Sequence, residues 1–324
     1  MIDKTNDTKP IIVVSRCLGF DNCRYNGEGE KNEFITKLSK YTDIITVCPE
    51  VSCGLTTPRE PIRIVEINNK LELIQPKTNR NITSEMLDFC SEFIKDNMKV
   101  DGIILKCKSP SCGISDAKVY TTIGKGTSSR RTKGFFAKEI TEKFPNSPCE
   151  DEGRLTNYKI RDHFLTRIFM LSKFRSIKEN LDFKRLEEFH NNNNLLFAAY
   201  NQNYTRILDS IIHGEHTANI AEVFNSYEIN LNRLLMRSPK FTSNIVVLLK
   251  AINTFSNRVS KKEMEFIWNT VDKYKKGTVP FSVPLYLVKG YLIRFELENL
   301  LNQSLFTPYP EDLILVNDSG KMIH

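Results

Sequence analysis

The chain has 324 residues, 40% hydrophobic and 26% charged, with a formal net charge of +7. That length suggests roughly two domains of about 150 residues each, and no run reaches the ~18 apolar residues that a membrane span needs. Met1 to Pro10 is polar and carries acidic side chains, which argues against a secretory or transit peptide and points to the cytoplasm. Eight cysteines in such a chain favour metal binding or catalysis over a disulfide framework. The positive charge permits nucleic-acid binding through phosphate neutralisation without demanding it.

The first apolar run, Ile11–Val14, stops at Ser15-Arg16-Cys17-Leu18-Gly19. A helical pattern over 31–41 follows, and then Ile44–Val47 stops at Cys48-Pro49-Glu50-Val51. A second helical pattern, 84–97, precedes an apolar run at 102–106, which leads into Ser109-Pro110-Ser111-Cys112-Gly113. Short β-branched runs that stop at Gly, Pro or Ser read as buried parallel strands. The expectation is therefore an α/β domain with a Rossmann-like parallel sheet over residues 8–155. Within it, Thr122–Lys133 reads as a mobile loop and 138–144 as a helix.

Beyond Pro148 the pattern changes, with helices expected over 181–189, 195–211, 216–236, 242–256 and 261–275. These make an all-α domain over 156–324. Asn191–Asn194 interrupts the pattern, because Asn favours caps and turns over helix interiors. Pro280 and Pro284 exclude a continuous helix over 277–284.

Ligand sites in open α/β sheets lie beyond the carboxyl ends of the strands, so Cys17, Cys48 and Cys112 can converge on one point. Three thiolates there bind a soft metal and leave one coordination position free. Cys53 competes with Cys48, and Cys23 and Cys107 lie in the same motifs, whereas Cys90 and Cys149 read as buried inert thiols. Glu50 stands two residues past Cys48, where a carboxylate serves as general acid and base or caps a helix. Ser109, three residues before Cys112, orients a reactant or closes a turn. Arg24, Arg59 and Arg63 flank these loops as candidate substrate or phosphate contacts. The stretch with Lys125, Arg130, Arg131 and Lys133 is basic and has no aromatic residue, which suits phosphate contact more than base stacking. Arg154, Lys159, Arg161, Arg167, Lys173 and Arg175 recur at near-helical spacing and offer a second basic surface.

The cysteine motifs, together with Cys23-Arg24-Tyr25-Asn26-Gly27, Gly54-Leu55, Pro58-Arg59 and Asp151-Glu152-Gly153-Arg154-Leu155, resemble the TudS family of thiouracil desulfidases. Tyr274–Pro280, Pro284 and Pro308-Tyr309-Pro310 resemble the YbgA-type helical domain, and the fusion resembles the RudS type, which removes sulfur from 4-thiouridine in tRNA. The resemblance implies a [4Fe-4S] cluster on Cys17, Cys48 and Cys112 with one iron open. It further implies catalytic roles for Glu50 and Ser109, and as substrate a thiolated pyrimidine, in tRNA or free. A metal-binding RNA-interaction module without catalysis is the alternative class. The chain departs from the helical-domain pattern: Asn191–Asn194 follow His190, and Asn244–Leu249 holds no histidine.

Overall fold

A computed structural model describes residues 8–124, 126, 128–214 and 219–314. These divide into two compact units. One runs to Ser172 and takes in the segment from Pro310; the other is Lys173–Tyr309. Among the described residues no helix is long and apolar enough to cross a membrane.

In chain order the first unit contains β1 (Ile11–Ser15), α1 (Glu33–Leu38), β2 (Asp43–Val47), α2 (Pro49–Ser52), β3 (Arg63–Ile67), β4 (Lys70–Gln75) and β5 (Arg80–Asn81). Then come α3 (Thr83–Asp96), β6 (Gly102–Leu105), β7 (Ala117–Tyr120), β8 (Ser128–Thr132), α4 (Phe135–Lys143), β9 (Cys149–Asp151) and most of α5 (Tyr158–Asn180). One sheet, ordered β2-β1-β6-β9, is parallel throughout, with Ser15 beside Val47 and Val14 beside Ile104. Its apolar strands are those expected from the sequence.

A second sheet, ordered β5-β4-β3-β7-β8, was not anticipated. Its pairs are antiparallel except β3 with β7. β8 occupies five residues of the stretch read as a mobile loop. Its sequence, Ser-Ser-Arg-Arg-Thr, is polar and mostly exposed, and its strand conformation comes from pairing with β7. Lys125 and Thr127 lie outside the described residues. The two sheets share a core with α3 and α4, in which Val13 and Ile103 meet Ile64, Val119, Met86 and Phe136.

Gly102 opens β6 because α5 crosses there. A Cβ at that position would stand 2.6 Å from Ile168 Cγ2, so any side chain would push the helix off the sheet. The expected basic stripe does not form an open face: Arg161 is buried and donates to the Leu155 carbonyl at 2.8 Å, and Arg154 pairs with Glu150 at 2.6 Å. The segment from Pro310 returns to this unit, where the Tyr41 hydroxyl donates to Asp312.

The second unit holds α6 (Phe183–Tyr200), α7 (Gln202–His213), α8 (Ile220–Leu234), α9 (Phe241–Asn253), α10 (Lys261–Lys275), α11 (Ser282–Arg294) and α12 (Glu298–Leu301). It is helical as expected, with two corrections: the helix expected over 195–211 is broken at Asn201, which caps α7, and Asn191–Asn194 lies inside α6. Tertiary bonds override the weak propensity of Asn. The Asn194 side chain donates to Asp209 Oδ1 at 3.2 Å, and Gln303 Nε2 donates to the Asn191 carbonyl at 2.7 Å. His190 is fully buried, hydrogen-bonded to Asp209 at 2.8 Å and to the Tyr227 hydroxyl at 3.1 Å, and so serves the packing of this unit.

Beyond the sheet edge Glu152 ties β9 to β6. Its carboxylate accepts the Cys107 N–H and the Cys107 thiol, each at 2.9 Å, and pairs with Lys106. Burial pushes the Glu152 carboxyl up, but the bonds from Cys107 and Lys106 outweigh it and hold it below its ordinary value. A depressed carboxylate contributes stability above its unfolded pKa of about 4.3, and that contribution is lost as pH falls through the folded value. Glu152→Gln is therefore expected to cost about 1–3 kcal/mol at neutral pH and to flatten the loss of stability below about pH 4.3. Denaturant midpoints measured from pH 7 to pH 3 check this; parallel curves for the two proteins would show that the pair contributes nothing.

Candidate active site

The chain leaves the parallel sheet at one edge, and three cysteine loops meet there. Cys17 lies two residues past β1, in a turn closed by the Leu18 N–H on the Ser15 carbonyl at 2.9 Å. Cys48 follows β2 directly and is the N-cap residue of α2, with Pro49 at the first helical position. Cys112 sits in the loop after β6. All three thiols are free and buried, at 9%, 8% and 5% exposure.

Ser109 shapes the third loop. Its Oγ accepts the backbone N–H of Ser111 at 3.1 Å and of Cys112 at 3.0 Å. The loop is then clamped to α4, whose cap residue Gly134 has no side chain to offer. In place of a cap, the loop carbonyls take the helix N–H groups: Phe135 donates to Pro110 at 3.1 Å and Ala137 to Ser111 at 3.0 Å. These satisfy donors that a helix start leaves open.

Glu50 stands in the first turn of α2 with its carboxylate divided between two partners. Oε2 accepts Arg59 Nη2 at 2.7 Å and Nε at 3.0 Å. Oε1 accepts the Ser111 hydroxyl at 3.1 Å and the Ser109 hydroxyl at 3.5 Å. Glu50 and Arg59 are 13% and 4% exposed, so this is a buried pair. Arg59 also donates to the Cys23 carbonyl at 3.0 Å. Sequence reasoning assigned no role to Ser111, although its hydroxyl is fully buried and closer to Glu50 than that of Ser109. The available signal was two serines bracketing Pro110.

Cys23, considered from the sequence only as a competing ligand, joins the first two loops. The Cys48 thiol donates to the Cys23 carbonyl at 3.8 Å, and the neighbouring Cys17 thiol is the main cause of the rise of Cys23 to about 11. The Cys48 thiol is raised chiefly by the neighbouring Cys23 thiol, then by burial. Burial likewise pushes Cys112 up, while the Ser15 and Ser109 hydroxyls oppose it. Thiols held protonated must release protons when a metal binds. Cys107 turns instead to Glu152, and the Cys53 thiol donates to the Glu50 carbonyl at 3.3 Å.

Arg24 lies in the first cysteine loop beside Cys23, near Glu30, whose N–H donates to the Cys17 carbonyl at 2.8 Å, and the remaining sequence candidates make contacts elsewhere. Arg24 approaches Glu30 at 3.9 Å, Arg130 pairs with Glu66 at 3.3 Å, and Lys133 donates to Thr141 Oγ1 at 2.9 Å. Arg131 is exposed on β8.

The donor set at this edge is all thiol, hence soft. Among the described residues no three His, Cys, Asp or Glu side chains stand close enough to hold a single metal ion. Buried free thiols such as Cys17, Cys48 and Cys112 are the donor type that iron–sulfur clusters take.

A parallel α/β sheet whose strand-end loops gather buried cysteines around a carboxylate defines a thiol-rich ligand site at the usual edge of such folds. Residues 12–152 match the family described as 2-thiouracil desulfurase, and residues 194–310 match a domain of unknown function, DUF1722. The YbbK protein of Bacillus subtilis (strain 168) is 33% identical over 110 residues, which are 32% of this chain and 73% of that protein. The YbgA protein of Escherichia coli (strain K12) is 26% identical over 161 residues, 49% of this chain and 95% of YbgA. A solved structure titled [4Fe-4S]-dependent thiouracil desulfidase TudS aligns at a TM-score of 0.36 and 24% identity, covering 45% of this chain and 93% of that one. The chain belongs to the 2-thiouracil desulfurase family and carries a YbgA-like helical domain after it.

Gly134 is where the loop clamp is most sensitive. A Cβ there would lie 2.4 Å from the Ser111 carbonyl oxygen. Gly134→Ala is expected to cost about 1–3 kcal/mol and to displace Ser109 and Ser111 from Glu50. Thermal unfolding measures the first effect, and increased alkylation of Cys112 in the metal-free protein measures the second.

Proposed function

We propose that this protein is an enzyme that removes sulfur as sulfide from a thiolated uracil, with 4-thiouridine in tRNA as its preferred substrate. The observation that carries the reading is the Glu50 carboxylate, held by Arg59 on one oxygen and by Ser111 and Ser109 on the other, in the same buried shell as Cys48 and Cys112. Cys17, Cys48 and Cys112 would hold a [4Fe-4S] cluster with one iron free of protein ligands. When bound, the cluster supplies a soft Lewis-acid position for the thiocarbonyl sulfur.

The remaining work falls to the side chains. Replacing C=S by C=O needs a water to add at the ring carbon, a proton to leave that water, and sulfur to depart as hydrosulfide. Glu50 takes the proton through Oε1, the oxygen that faces the serine hydroxyls, and returns it to the departing group. Arg59 fixes the orientation of the carboxylate through its two bonds to Oε2. Ser111 and Ser109 aim Oε1, and Ser109 at the same time holds the Cys112 backbone N–H. No electron is gained or lost overall, so the reaction is hydrolytic.

Anaerobic purification followed by incubation with thiolated tRNA and with free 4-thiouracil, monitored by thiocarbonyl absorbance, tests the reaction. Activity on the free base alone would assign the enzyme to thiouracil or thionucleosides; activity on neither would leave a metal-binding module. The protein is expected to be brown, with about four irons and four sulfides per chain. Cys17→Ala, Cys48→Ala and Cys112→Ala should each lose most of the iron, whereas Cys90→Ala should keep it. Stoichiometric zinc in a colourless, anaerobically reconstituted protein would refute the cluster.

Glu50→Gln should retain iron while turnover falls about 10²–10⁴-fold, the usual cost of losing a general acid–base group. Ser109→Ala should likewise keep iron and lose turnover. Full activity in Glu50→Gln with normal iron would move proton transfer to another group.

A further inference from the structure

The second sheet has two faces with different occupants. Ile64, Leu73, Ala117 and Val119 point into the core. Their alternating neighbours face the other way, and strand register aligns them: Lys118 stands opposite Arg131, Glu72 opposite Val65, and Lys70 opposite Ile67. Directly opposed residues of an antiparallel pair share a face. Over β3 and β4 this face also holds Val65 and Ile74, which are buried, and Ile67; its charged residues are Arg63, Lys70, Lys118 and Arg131 against a single strand carboxylate, Glu72, which is already bonded to Asn81 Nδ2 at 2.7 Å. Arg63, Lys118 and Arg131 have no carboxylate partner among the described residues. Arg130, by contrast, lies on the core-side face and pairs with Glu66.

This face begins beside the candidate active site. β7 starts five residues after Cys112, and β8 ends two residues before Gly134, whose N–H donates to the Gly113 carbonyl at 2.7 Å. Lys118 and Arg131 are thus the first outward-facing residues beyond the cysteine loop, and both are exposed. Tyr120 is the one aromatic ring on the face, and the Arg63 guanidinium covers it at 4.5 Å. A covered ring leaves no open platform for base stacking, so what the surface offers is cationic charge for phosphates.

We propose that the outer face of this sheet, through Lys118 and Arg131 with Arg63 beside them, seats the phosphate backbone of an RNA substrate whose modified base enters the cysteine-lined site. The inference rests on the tRNA reading above and adds the surface that presents it. Contact of this kind is independent of base sequence and falls with salt.

The test compares two double variants that each remove two positive charges, Lys118→Gln/Arg131→Gln on the outer face and Arg130→Gln/Lys133→Gln off it. Binding of an unmodified in vitro tRNA transcript is followed by fluorescence anisotropy across a salt series, with the thermal midpoint as a check on folding. The outer-face pair should weaken binding on the order of tenfold and reduce the salt slope by about 1.4–1.8, at about 0.7–0.9 per phosphate. The other pair should leave affinity and slope near wild type. Equal losses in both, or an unchanged slope in the outer-face pair, overturn the face assignment while tRNA binding stands. A wild-type protein that turns over free 4-thiouracil yet fails to bind tRNA at low salt overturns the tRNA reading itself.

Discussion

Because β1, β2, β6 and β9 run parallel, the chain must leave all four at the same edge. That constraint organises the first unit. Every group of the candidate site is delivered by a loop that starts there: Cys17 after β1, Cys48 and Glu50 after β2, Ser109, Ser111 and Cys112 after β6, and Glu152 after β9. A mixed sheet of the same strands would send half of these residues to the opposite edge. Loops carry the chemistry, and the sheet determines which loops can meet.

A buried carboxylate needs a partner, since desolvation of an unpaired charge is costly. Arg59 meets that need for Glu50, and the same guanidinium holds the Cys23 carbonyl. The position of Glu50 is thereby coupled to the loop that places Cys17 and Cys23. The Ser-Pro-Ser-Cys-Gly loop shows a similar economy: one hydroxyl, that of Ser109, receives two backbone N–H groups and reaches Glu50. Loss of either side chain frees Glu50 and loosens a cysteine-bearing loop together.

What could be read from the sequence follows the physics of burial. The central parallel strands β1 and β6 were legible because both of their faces are buried, leaving the unbroken apolar runs Ile11–Val14 and Gly102–Leu105, whereas the short edge strand β9 was not. The helices of the second unit were legible from their spacing, though Asn191–Asn194 misled because side-chain and backbone partners outweigh intrinsic preference. β8 was illegible: a polar, exposed strand exists only through its neighbour. The cysteines and Glu50 announced themselves by residue type and place. Arg59 was noticed as either a substrate contact or a structural salt bridge, but its partner was not legible: the bond to Glu50, nine residues away, depends on how the loop between them folds. Ser111 was hidden in plain view, because a serine in a turn has many ordinary reasons to be there.

The return of the chain at Pro310 makes the helical unit an insertion, with sequence belonging to the first unit on both sides of it. Its two ends are therefore both anchored, and ordering it closes a long loop whose entropic cost grows only slowly with length. A protease that nicks one of its connecting turns would leave residues 310–314 joined to the first unit by noncovalent bonds alone, the Tyr41–Asp312 contact among them. The desulfurase half is thus a discontinuous piece of chain. A recombinant fragment ending at Ser172 lacks part of its own surface, and supplying the missing segment on a short linker, or as a peptide in trans, is the natural way to restore it.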